Sequence, residues 1–443
     1  MKTPAPIQTR REFVNQTALG LGLLILPSGI LRGQASPNSK LNIALIGAGG
    51  RATAHFGSVS GENVVALCDV DDRVLAAAGK QFPKAKHYKD WRKCLDHPGL
   101  DAIVCSTTDH THAAISIWAM MRGLHVYCEK PLANSVEEAR MVRATYLERR
   151  GKVATQVGTQ LHALNHFAEV RKLVREGSIG ELKRVDAWGN RQIPRPGHPK
   201  GLGEVPAHLD FDLWLGPAPV HPYHPDYFSA TVPGSNCLNW NMFWDFGSGQ
   251  VGDMGSHTMD LVWNAIDADS PLSAWAEGDP FHPEVSPVKL HTRFRLPAND
   301  WRPPIEVHWH QGGAMPEGPT DTALRGIAHG AMFTGTKGTL VSDFGSLCVI
   351  PTDVPRDARH SRTGTKGGYD HAAEWIAACK GGPETACNFD YAGRMIEMML
   401  LGHVAYRTGE EIIYDASRGK VTSHESANVH LAKKYREGWS LVG

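Results

Sequence analysis

A buried-looking strand that runs directly into a glycine-rich turn is the feature that most constrains this chain. Four apolar residues, Ile43 to Ile46, lead into the sequence Gly47-Ala48-Gly49-Gly50. With Ala52 the segment fits the G-x-G-x-x-G/A pattern, in which a strand turns sharply into a helix. Gly47 permits the tight turn, Gly49 lets backbone approach a pyrophosphate, and Ala52 allows close packing of the helix. The pattern predicts a dinucleotide site at the positive end of that helix.

Further apolar runs alternate with stretches of helical periodicity over residues 40–160. The runs are 64–68, 102–105 and 125–131, and the helical stretches are 73–82, 112–123 and 135–150. Uninterrupted apolar strands between helices indicate a parallel sheet covered on both faces. We therefore predict a doubly wound α/β domain, of the Rossmann type, over residues 40–160.

Asp69 closes the second strand, where a carboxylate can accept a hydrogen bond from an adenosine ribose hydroxyl. The same charge repels a ribose 2′-phosphate, so NAD is expected rather than NADP. Arg51 and Arg73 are the nearby cations that would weaken this preference. A glycine turn in an unrelated strand–helix unit is the alternative interpretation.

Two polar segments follow the next strands, at the edge of the sheet where ligands bind. The first is STTDHTH, residues 106–112, and the second is CEKPL, residues 128–132. Lys130 is predicted to place an ammonium group in the cleft, with Glu129 as its counter-charge or as the group that orients it. The alternative is a solvated lysine before a proline turn.

Asp253 and His257 are four residues apart in GDMGSHTMDL, which on a helix places both on one face. A histidine is suited to take the proton of a hydroxyl group, and a carboxylate stabilises its cation. A lysine near the same oxygen would stabilise negative charge there. A surface or capping pair is the alternative. No third ligand stands at convincing spacing, so no metal site is expected.

The overall charge excludes some partners. Lys plus Arg and Asp plus Glu are both 46, so the chain lacks the basic character of a nucleic-acid-binding protein. None of the eight cysteines forms a C-x-x-C pair, which argues against a zinc ribbon or a thioredoxin-type site. No disulfide framework is expected. A small, weakly charged partner fits this composition better.

The first 35 residues resemble an export signal. Arg10 and Arg11 precede a moderately apolar stretch that ends in small residues, as in twin-arginine signals. The stretch is too short and too interrupted by Gly and Pro for a stable membrane span, and a cytoplasmic amphipathic extension is the other alternative. Because the twin-arginine route carries folded proteins, a cofactor can be bound before export to the periplasm.

The chain beyond residue 160 predicts a second domain. Alternating or β-rich runs at 182–191, 288–296, 305–313 and 338–345 have few crossover helices between them, which indicates a mostly antiparallel sheet. Residues 194–244 form a long insertion rich in Pro, Gly and aromatic residues. Such an insertion either caps an active site, wraps a neighbouring subunit or simply packs its aromatic side chains.

The motifs together resemble the Gfo/Idh/MocA family, which includes glucose–fructose oxidoreductase and inositol dehydrogenase. The resemblance rests on the glycine loop, Asp69, TTDHTH and EKPL, and continues through QVGTQ (156–160), DLWLGPAP (212–219) and GDMGSHTMDL (252–261). It extends over nearly all of residues 40–435, in particular to exported members. The resemblance implies a second α/β domain, residues 161–435, with a large open sheet that forms the substrate cleft and often a contact between subunits.

The resemblance also implies site residues. Family members use the lysine of the EKP motif with an aspartate and a histidine in a D-x-x-x-H arrangement, which here are Lys130, Asp253 and His257. Apart from the resemblance, the loop of residues 360–375 is expected to reach the cleft, so Tyr369 and His371 are candidate sugar contacts, together with Gln160. The expected cofactor contacts are Gly47, Gly49, Gly50, Arg51, Ala52, Asp69, Thr107, Thr108, His112, Glu129, Lys130 and Gln156.

The expected function is an NAD(P)-dependent oxidoreductase that acts on a sugar, glycoside or polyol hydroxyl. No NAD pool is maintained outside the cytoplasm, so the cofactor is expected to stay tightly bound. A glycosidase that works by transient oxidation, elimination, hydration and re-reduction is the second interpretation. A non-catalytic sensor on the same fold is the third. A homo-oligomer is expected from the resemblance alone.

Overall fold

The computed structural model describes residues 40–228 and 237–442 of the chain. The candidate export signal, residues 1–35, lies outside the described residues. The described chain forms two sheets, one on the amino-terminal side of residue 160 and one on the carboxyl-terminal side.

Six parallel strands form the first sheet. They are β1 (Asn42–Ile46), β2 (Asn63–Cys68), β3 (Lys86–Tyr88), β4 (Ala102–Cys105), β5 (His125–Cys128) and β6 (Thr155–Val157). Their spatial order is β3-β2-β1-β4-β5-β6, so the chain changes direction between β1 and β4. In such sheets the ligand crevice opens at the carboxyl ends of the strands beside that change of direction. The predicted doubly wound parallel sheet is confirmed.

Four α-helices accompany this sheet, and three of them begin at a capping side chain. The helices are α1 (Asp72–Gln81), α2 (Trp91–Cys94), α3 (Asp109–Met121) and α4 (Val136–Arg149). The side chains of Asp71, Asp90 and Ser135 each accept a hydrogen bond from a backbone N–H of the first turn. Helix α3 is buried along almost its whole length because it packs against both β5 and α4.

The second sheet has ten strands. They are β7 (Leu182–Gly189), β8 (Ser273–Gly278), β9 (Leu290–Leu296), β10 (Ile305–Gln311), β11 (His329–Gly335), β12 (Gly338–Ser342), β13 (Ser346–Pro351), β14 (Thr363–Gly364), β15 (Ile412–Asp415) and β16 (Lys420–Val421). The order is β14-β13-β12-β11-β7-β10-β9-β8-β15-β16, and only β7 and β10 pair in parallel. The predicted large, mostly antiparallel sheet is confirmed, although six of its strands lay outside the four predicted segments.

The described part of this half contains six further α-helices. They are α5 (Asn165–Arg175), α6 (Phe211–Leu215), α7 (Cys237–Trp240), α8 (Ser256–Ile266), α9 (His371–Cys379) and α10 (Phe389–Thr408). Helix α10 joins the two halves, because it packs against α4 on one side and against β8 and β9 on the other. It ends at Gly409, whose φ of 70° is the left-handed conformation that favours glycine.

The insertion, residues 194–228 and 237–244 as described, is called the aromatic arm below. Its rings form a cluster of their own around Trp214, Tyr227 and Phe243. The arm also pairs with the first sheet: Asp72 N–H donates to the carbonyl of His208 at 2.9 Å, and Asp210 N–H donates to that of Val70 at 2.9 Å. The arm is therefore a packed element that covers the cleft of the same chain.

None of the helices in the described residues combines the length and the apolar character that crossing a membrane requires.

Candidate functional site

The glycine turn after β1 is tight enough to require glycine at two positions. Gly47 has a φ of 79°, and a Cβ there would lie 2.6 Å from the carbonyl oxygen of Ser106. A Cβ on Gly49 would lie 2.9 Å from Cγ1 of Val74 in α1. The absence of side chains leaves the backbone of this turn open to a ligand that lies against it.

The helix after the turn differs from the prediction. It is a short 3-10 helix, Gly50–His55, in place of an α-helix, although Ala52 is buried against the sheet as expected. The following sequence, FGSVSGEN, contains two glycines and two serines, so it offers poor helix formers where a longer helix would continue. A pyrophosphate here would depend on a few free backbone N–H groups and would gain little from a helix dipole.

Asp69 is half-buried at the end of β2, and backbone hydrogen bonds fix its position. Its Oδ2 accepts from Ala48 N–H at 2.9 Å, and its Oδ1 accepts from Asp71 N–H at 3.0 Å. Burial raises the pKa of Asp69 to about 6, against the effect of these hydrogen bonds. Arg73 pairs with Asp71 at 2.9 Å. A carboxylate therefore stands at the position expected for the adenosine ribose.

Glu129 anchors the other side of the turn. Its Oε1 accepts from Arg51 Nε at 2.9 Å and from His55 Nε2 at 2.7 Å. Burial opposes its ionisation, but the hydrogen bond from His55 and the charge of Arg51 outweigh burial and lower the pKa of Glu129 to about 2. Glu129 thus holds Arg51 and His55, in contrast to the predicted partnership with Lys130. Sequence reasoning missed His55.

Lys130 forms an ion pair with Asp253 across the two halves of the chain. Lys130 Nζ donates to Asp253 Oδ1 at 2.5 Å, and Arg191 donates to the other carboxylate oxygen. Burial raises the pKa of Asp253, but the two cations outweigh it and lower that pKa below its ordinary value. Burial lowers the pKa of Lys130, but the charge of Asp253 and its hydrogen bond outweigh burial and raise that pKa above its ordinary value. Both groups are therefore charged near neutral pH. Sequence reasoning missed Arg191.

A π-helical turn, Val251–Gly255, carries Asp253 to this position. A Cβ on Gly252 would lie 3.0 Å from Cγ of Pro131, so glycine lets the turn approach the EKP loop. The sequence predicted one regular helix, whereas α8 begins only at Ser256. Single π-turns inside helices are frequent at functional sites.

His257 lies in the first turn of α8 and is buried. Burial and the charge of Lys130 lower the pKa of His257 to about 4, so the imidazole is neutral near pH 7. Its Nδ1 has no hydrogen-bond partner among the described residues. The carboxylate oxygens of Asp253 contact Lys130 and Arg191, so Asp253 acts on His257 through its charge. This differs from the predicted role of Asp253 in holding the imidazole.

His112 connects the TTDHTH and EKPL segments. Its Nδ1 lies 2.7 Å from the carbonyl oxygen of Pro131, and its Nε2 lies 3.1 Å from that of Thr107. The side chain of Thr107 is paired with Thr111 at 2.6 Å. His112 therefore fixes two loops at the carboxyl edge of the sheet.

Asp109, which the sequence analysis did not single out, lies in the same segment. It is buried, and burial raises the pKa of its carboxyl group to about 7. It lines the same cavity as Lys130 and Asp253. The motif TTDHTH contained the residue, but its burial depends on contacts that the motif does not encode.

One cavity of about 550 Å³ brings most of the predicted residues together. Those that line it are Gly47, Gly49, Gly50, Arg51, Asp69, Thr107, Thr108, His112, Glu129, Lys130 and Asp253. The aromatic arm supplies the opposite wall through Pro206, His208, Leu209, Leu213, Trp214, Tyr223, Phe228 and Trp240.

Six predicted residues lie outside the lining of this cavity, namely Ala52, Gln156, Gln160, His257, Tyr369 and His371. Gln156 donates from Nε2 to the carbonyl of His371 at 2.7 Å, and His371 Nε2 lies 3.0 Å from the carbonyl oxygen of Val157. Both side chains are buried where β6 meets α9, so they join elements in place of the ligand contacts that we expected. Gln160 begins a short 3-10 helix, and Tyr369 is half exposed.

Comparison with protein families matches both halves of the chain. The model of the oxidoreductase family with an NAD-binding Rossmann fold, Gfo/Idh/MocA, matches residues 41–159. The model of the C-terminal alpha/beta domain of that family matches residues 195–297.

Individual relatives agree with this assignment. Inositol 2-dehydrogenase of Salmonella paratyphi B is 26% identical over 184 residues, which are 40% of this chain and 54% of that protein. Levoglucosan dehydrogenase of Pseudarthrobacter phenanthrenivorans is 26% identical over 153 residues, 32% of this chain and 39% of that protein. The chain spans about half the length, or less, of these curated relatives.

A solved structure extends the likeness of the fold to both domains. The WlbA dehydrogenase from Bordetella pertussis, in complex with NADH and UDP-GlcNAcA, has a TM-score of 0.59 at 16% identity. The match covers 85% of this chain and 99% of that chain. From the matched family models and the arrangement of the two sheets, we conclude that the chain belongs to the Gfo/Idh/MocA family of oxidoreductases.

Proposed function

We propose that the protein is an NAD-dependent oxidoreductase that acts on a hydroxyl group of a sugar, glycoside or polyol. One observation carries the proposal: the cavity bounded by the glycine turn and Asp69 is also bounded by the Lys130–Asp253 pair. Dehydrogenases of inositol and of levoglucosan are among the relatives, which supports a polyhydroxylated substrate.

The residues of the cavity fit a dinucleotide. The turn at Gly47 and Gly49 offers backbone without side chains, as close approach of a pyrophosphate requires. Asp69 would hold the adenosine ribose. The buried Ser106 Oγ, which also lines the cavity, has no partner among the described residues and is free to bond a ligand. NAD is favoured over NADP because Arg51 and Arg73 already pair with Glu129 and Asp71.

When bound, the nicotinamide supplies a carbon that accepts and returns hydride. Residues of the chain itself bind the reacting oxygen and transfer the proton. Lys130 donates a hydrogen bond to the reacting oxygen and stabilises negative charge there. His257, neutral because its pKa is lowered to about 4, takes the hydroxyl proton. Asp253 keeps Lys130 charged and in place, and its charge favours the imidazolium of His257.

A cofactor that remains bound through the catalytic cycle suits a protein exported by the twin-arginine route to the periplasm. Such a protein reaches its destination folded, with the dinucleotide already in place. The aromatic arm supports tight retention because it forms the wall opposite the glycine turn. Turnover then requires that the same bound cofactor be reset within each cycle, by reduction of a second carbonyl compound.

A NAD-dependent glycosidase that works by transient oxidation, elimination, hydration and re-reduction is the second candidate. Asp109 favours it, because a carboxyl group whose pKa is about 7 can give or take a proton near neutral pH. Elimination needs such a group for the departing oxygen. A simple oxidoreductase has no evident use for this second acid in the cavity.

The open face of the second sheet is the proposed contact between copies of the chain in a homo-oligomer. The rings of His291 and His310 stack there with centroids 4.4 Å apart, and Arg293 lies over Trp275 at 5.3 Å. Sedimentation of the mature protein tests this, since a monomer at micromolar concentration would contradict it.

The function is tested with the purified protein and no added cofactor. Denaturation should release about one NAD per chain, and a panel of sugars and polyols should change the absorbance of the bound dinucleotide. Turnover that needs a second carbonyl compound supports the oxidoreductase. Release of free sugar and aglycone from glycosides supports the glycosidase. A protein that neither contains nor binds a dinucleotide contradicts both and supports a sensor.

A further inference from the structure

Three side chains of the aromatic arm and of the residue that follows it converge away from the cofactor cavity. Asp245 Oδ2 lies 2.8 Å from His221 Nε2 and 3.9 Å from His198 Nε2. All three ligand atoms lie within 4.8 Å of one another. The side chains of the two histidines are 13% and 17% exposed and that of Asp245 is 34% exposed, so the cluster borders solvent.

The spacing of these atoms suits a metal ion. Zinc binds imidazole nitrogen and carboxylate oxygen at about 2.0–2.2 Å, which separates tetrahedral ligand atoms by roughly 3.3–3.6 Å. His221 and Asp245 are hydrogen-bonded at 2.8 Å, below that value, and the 3.9 Å between His198 and Asp245 lies above it. At 3.9 Å the pair of His198 and Asp245 is too long for a hydrogen bond, so a direct contact does not account for the direction of His198 Nε2.

The surroundings of His198 fix its ring for this purpose. Its Nδ1 lies 2.9 Å from the hydroxyl of Tyr227, and its ring stacks on Phe243 with centroids 4.6 Å apart and planes 12° apart. In the tautomer that donates Nδ1–H to Tyr227, the lone pair of Nε2 is directed toward Asp245. An outer partner of this kind is typical of histidines that bind a metal.

We propose that His198, His221 and Asp245 bind one divalent transition-metal ion, with water in the remaining position. Two imidazoles and one carboxylate form a donor set that zinc, cobalt, nickel and iron(II) all accept. The three residues are more than twenty positions apart in the sequence, so no short motif predicts the site.

The position of the site assigns it a role. His198 and His221 flank the segment of the aromatic arm that crosses the cofactor cleft and bonds to the first domain through His208 and Asp210. Asp245 precedes the π-helical turn that carries Asp253. A metal ion bound here links both ends of the crossing segment to the chain that leads into the π-helical turn. This part of the proposal rests on the proposed function: the ion slows loss of the bound dinucleotide.

Metal binding is tested first, with the full chain stripped by a chelator. Titration with Zn²⁺ should show one site per chain, and substitution with Co²⁺ should give the visible absorption of a tetrahedral complex. His198→Gln and Asp245→Asn should each weaken Zn²⁺ binding at least about 100-fold. His224→Gln, in the same arm but outside the three proposed ligands and paired with Asp226, is the matched control and should bind Zn²⁺ like the native protein.

Native protein that binds Zn²⁺ no more tightly than the His198→Gln variant overturns the site. Circular dichroism of each variant shows that it is folded, and the Co²⁺ spectrum of the native protein provides a readout that needs no variant. A spectrum that lacks tetrahedral bands overturns the site as well.

The role of the metal ion in retaining the dinucleotide is tested by the rate at which bound dinucleotide is lost after dilution. Removal of the metal should speed that loss at least tenfold, and restored Zn²⁺ should reverse it. An unchanged rate of loss contradicts this role of the metal ion. Failure of the proposed function is distinguishable, because a protein without dinucleotide still binds Zn²⁺ at this site if the site is real.

Discussion

Lys130 and Asp253, which are 123 residues apart in the chain, form an ion pair of 2.5 Å between the end of β5 and the π-helical turn before α8. The pair joins the dinucleotide-binding half of the molecule to the half that carries His257. Both side chains are mostly buried, at 18% and 7% exposure, so their charges are screened little by solvent. The pair is therefore one of the contacts, with helix α10 and the aromatic arm, that hold the two halves together.

Lys130→Met is expected to slow turnover strongly and to leave the dinucleotide in place. The methionine keeps the length of the side chain but donates no hydrogen bond to the reacting oxygen, so kcat should fall about 10²–10³-fold. Stopped-flow absorbance of the bound cofactor measures the chemical step. Lys183→Met, at a 52% exposed position, is the control. Native-like turnover in Lys130→Met would exclude this lysine from the chemistry.

His257→Ala removes the group that takes the hydroxyl proton, and kcat should fall about 10²–10⁴-fold. Burial and the charge of Lys130 lower the pKa of His257 to about 4. In the native enzyme the imidazole therefore loses its basic form only as pH falls toward 4, well below the ordinary 6.5. The acid limb of the pH profile of kcat/KM should therefore lie near pH 4. Full activity of the variant, or an acid limb near pH 6.5 that persists when Asp109 is replaced by Asn, would contradict the role. Dinucleotide content measures whether the variant has kept its site.

The fold and the dinucleotide turn were predictable because they depend on local sequence. Continuous apolar runs marked the buried strands, and only glycine fits the φ and the close contact at Gly47. The π-helical turn at Asp253 was not predictable, because its packing depends on Gly252 against Pro131, a contact between distant segments. The pairing of Arg191 with Asp253 and of His55 with Glu129 was missed for the same reason.

The sugar contacts were harder to predict from the sequence than the fold. His371 was expected to contact a sugar because its loop was expected to reach the cleft, yet the residue begins a helix and is buried against β6. Sequence pattern does not tell a buried polar residue that satisfies backbone groups from one that faces a ligand. The resemblance to a family, and not the spacing, brought Lys130 and His257 together.

Asp69→Ser is expected to weaken the preference for NAD over NADP by at least tenfold. The native carboxylate repels a 2′-phosphate, and serine removes that charge. Because burial raises the pKa of Asp69 to about 6, the native preference should also weaken as pH falls through 6 and the carboxyl group becomes neutral. Titration of stripped enzyme with both dinucleotides measures the two affinities. Asp72→Ser, three residues away and half exposed, is the control. An unchanged ratio would place the ribose elsewhere.

Asp109→Asn separates the two candidate reactions. If the protein is a glycosidase, the loss of a carboxyl group with a pKa of about 7 should slow elimination, while reduction of the bound cofactor by substrate continues. Release of aglycone should therefore fall at least about tenfold, with the rate of the absorbance change nearly unchanged. Equal effects on both rates would argue that Asp109 serves only to shape the cavity.

Glu129→Gln is expected to destabilise the fold in a pH-dependent way. The pKa of Glu129 falls from the ordinary 4.5 to about 2 in the folded protein, which corresponds to about 3 kcal/mol of stabilisation by its ionised form. That contribution is present above pH 4.5 and is lost as pH falls from 4.5 toward 2, since the carboxylate must then be protonated.

Urea denaturation of the native protein and of Glu129→Gln at several pH values between 3 and 7 measures this difference. The gap in unfolding free energy should be about 3 kcal/mol at pH 7, reduced in part because Arg51 is 43% exposed, and should narrow toward pH 3. Glu181→Gln, at a 54% exposed carboxylate, should show a gap near zero throughout. If the gap for Glu129→Gln is the same at pH 3 and pH 7, packing and not charge is the reason that the residue stabilises the turn.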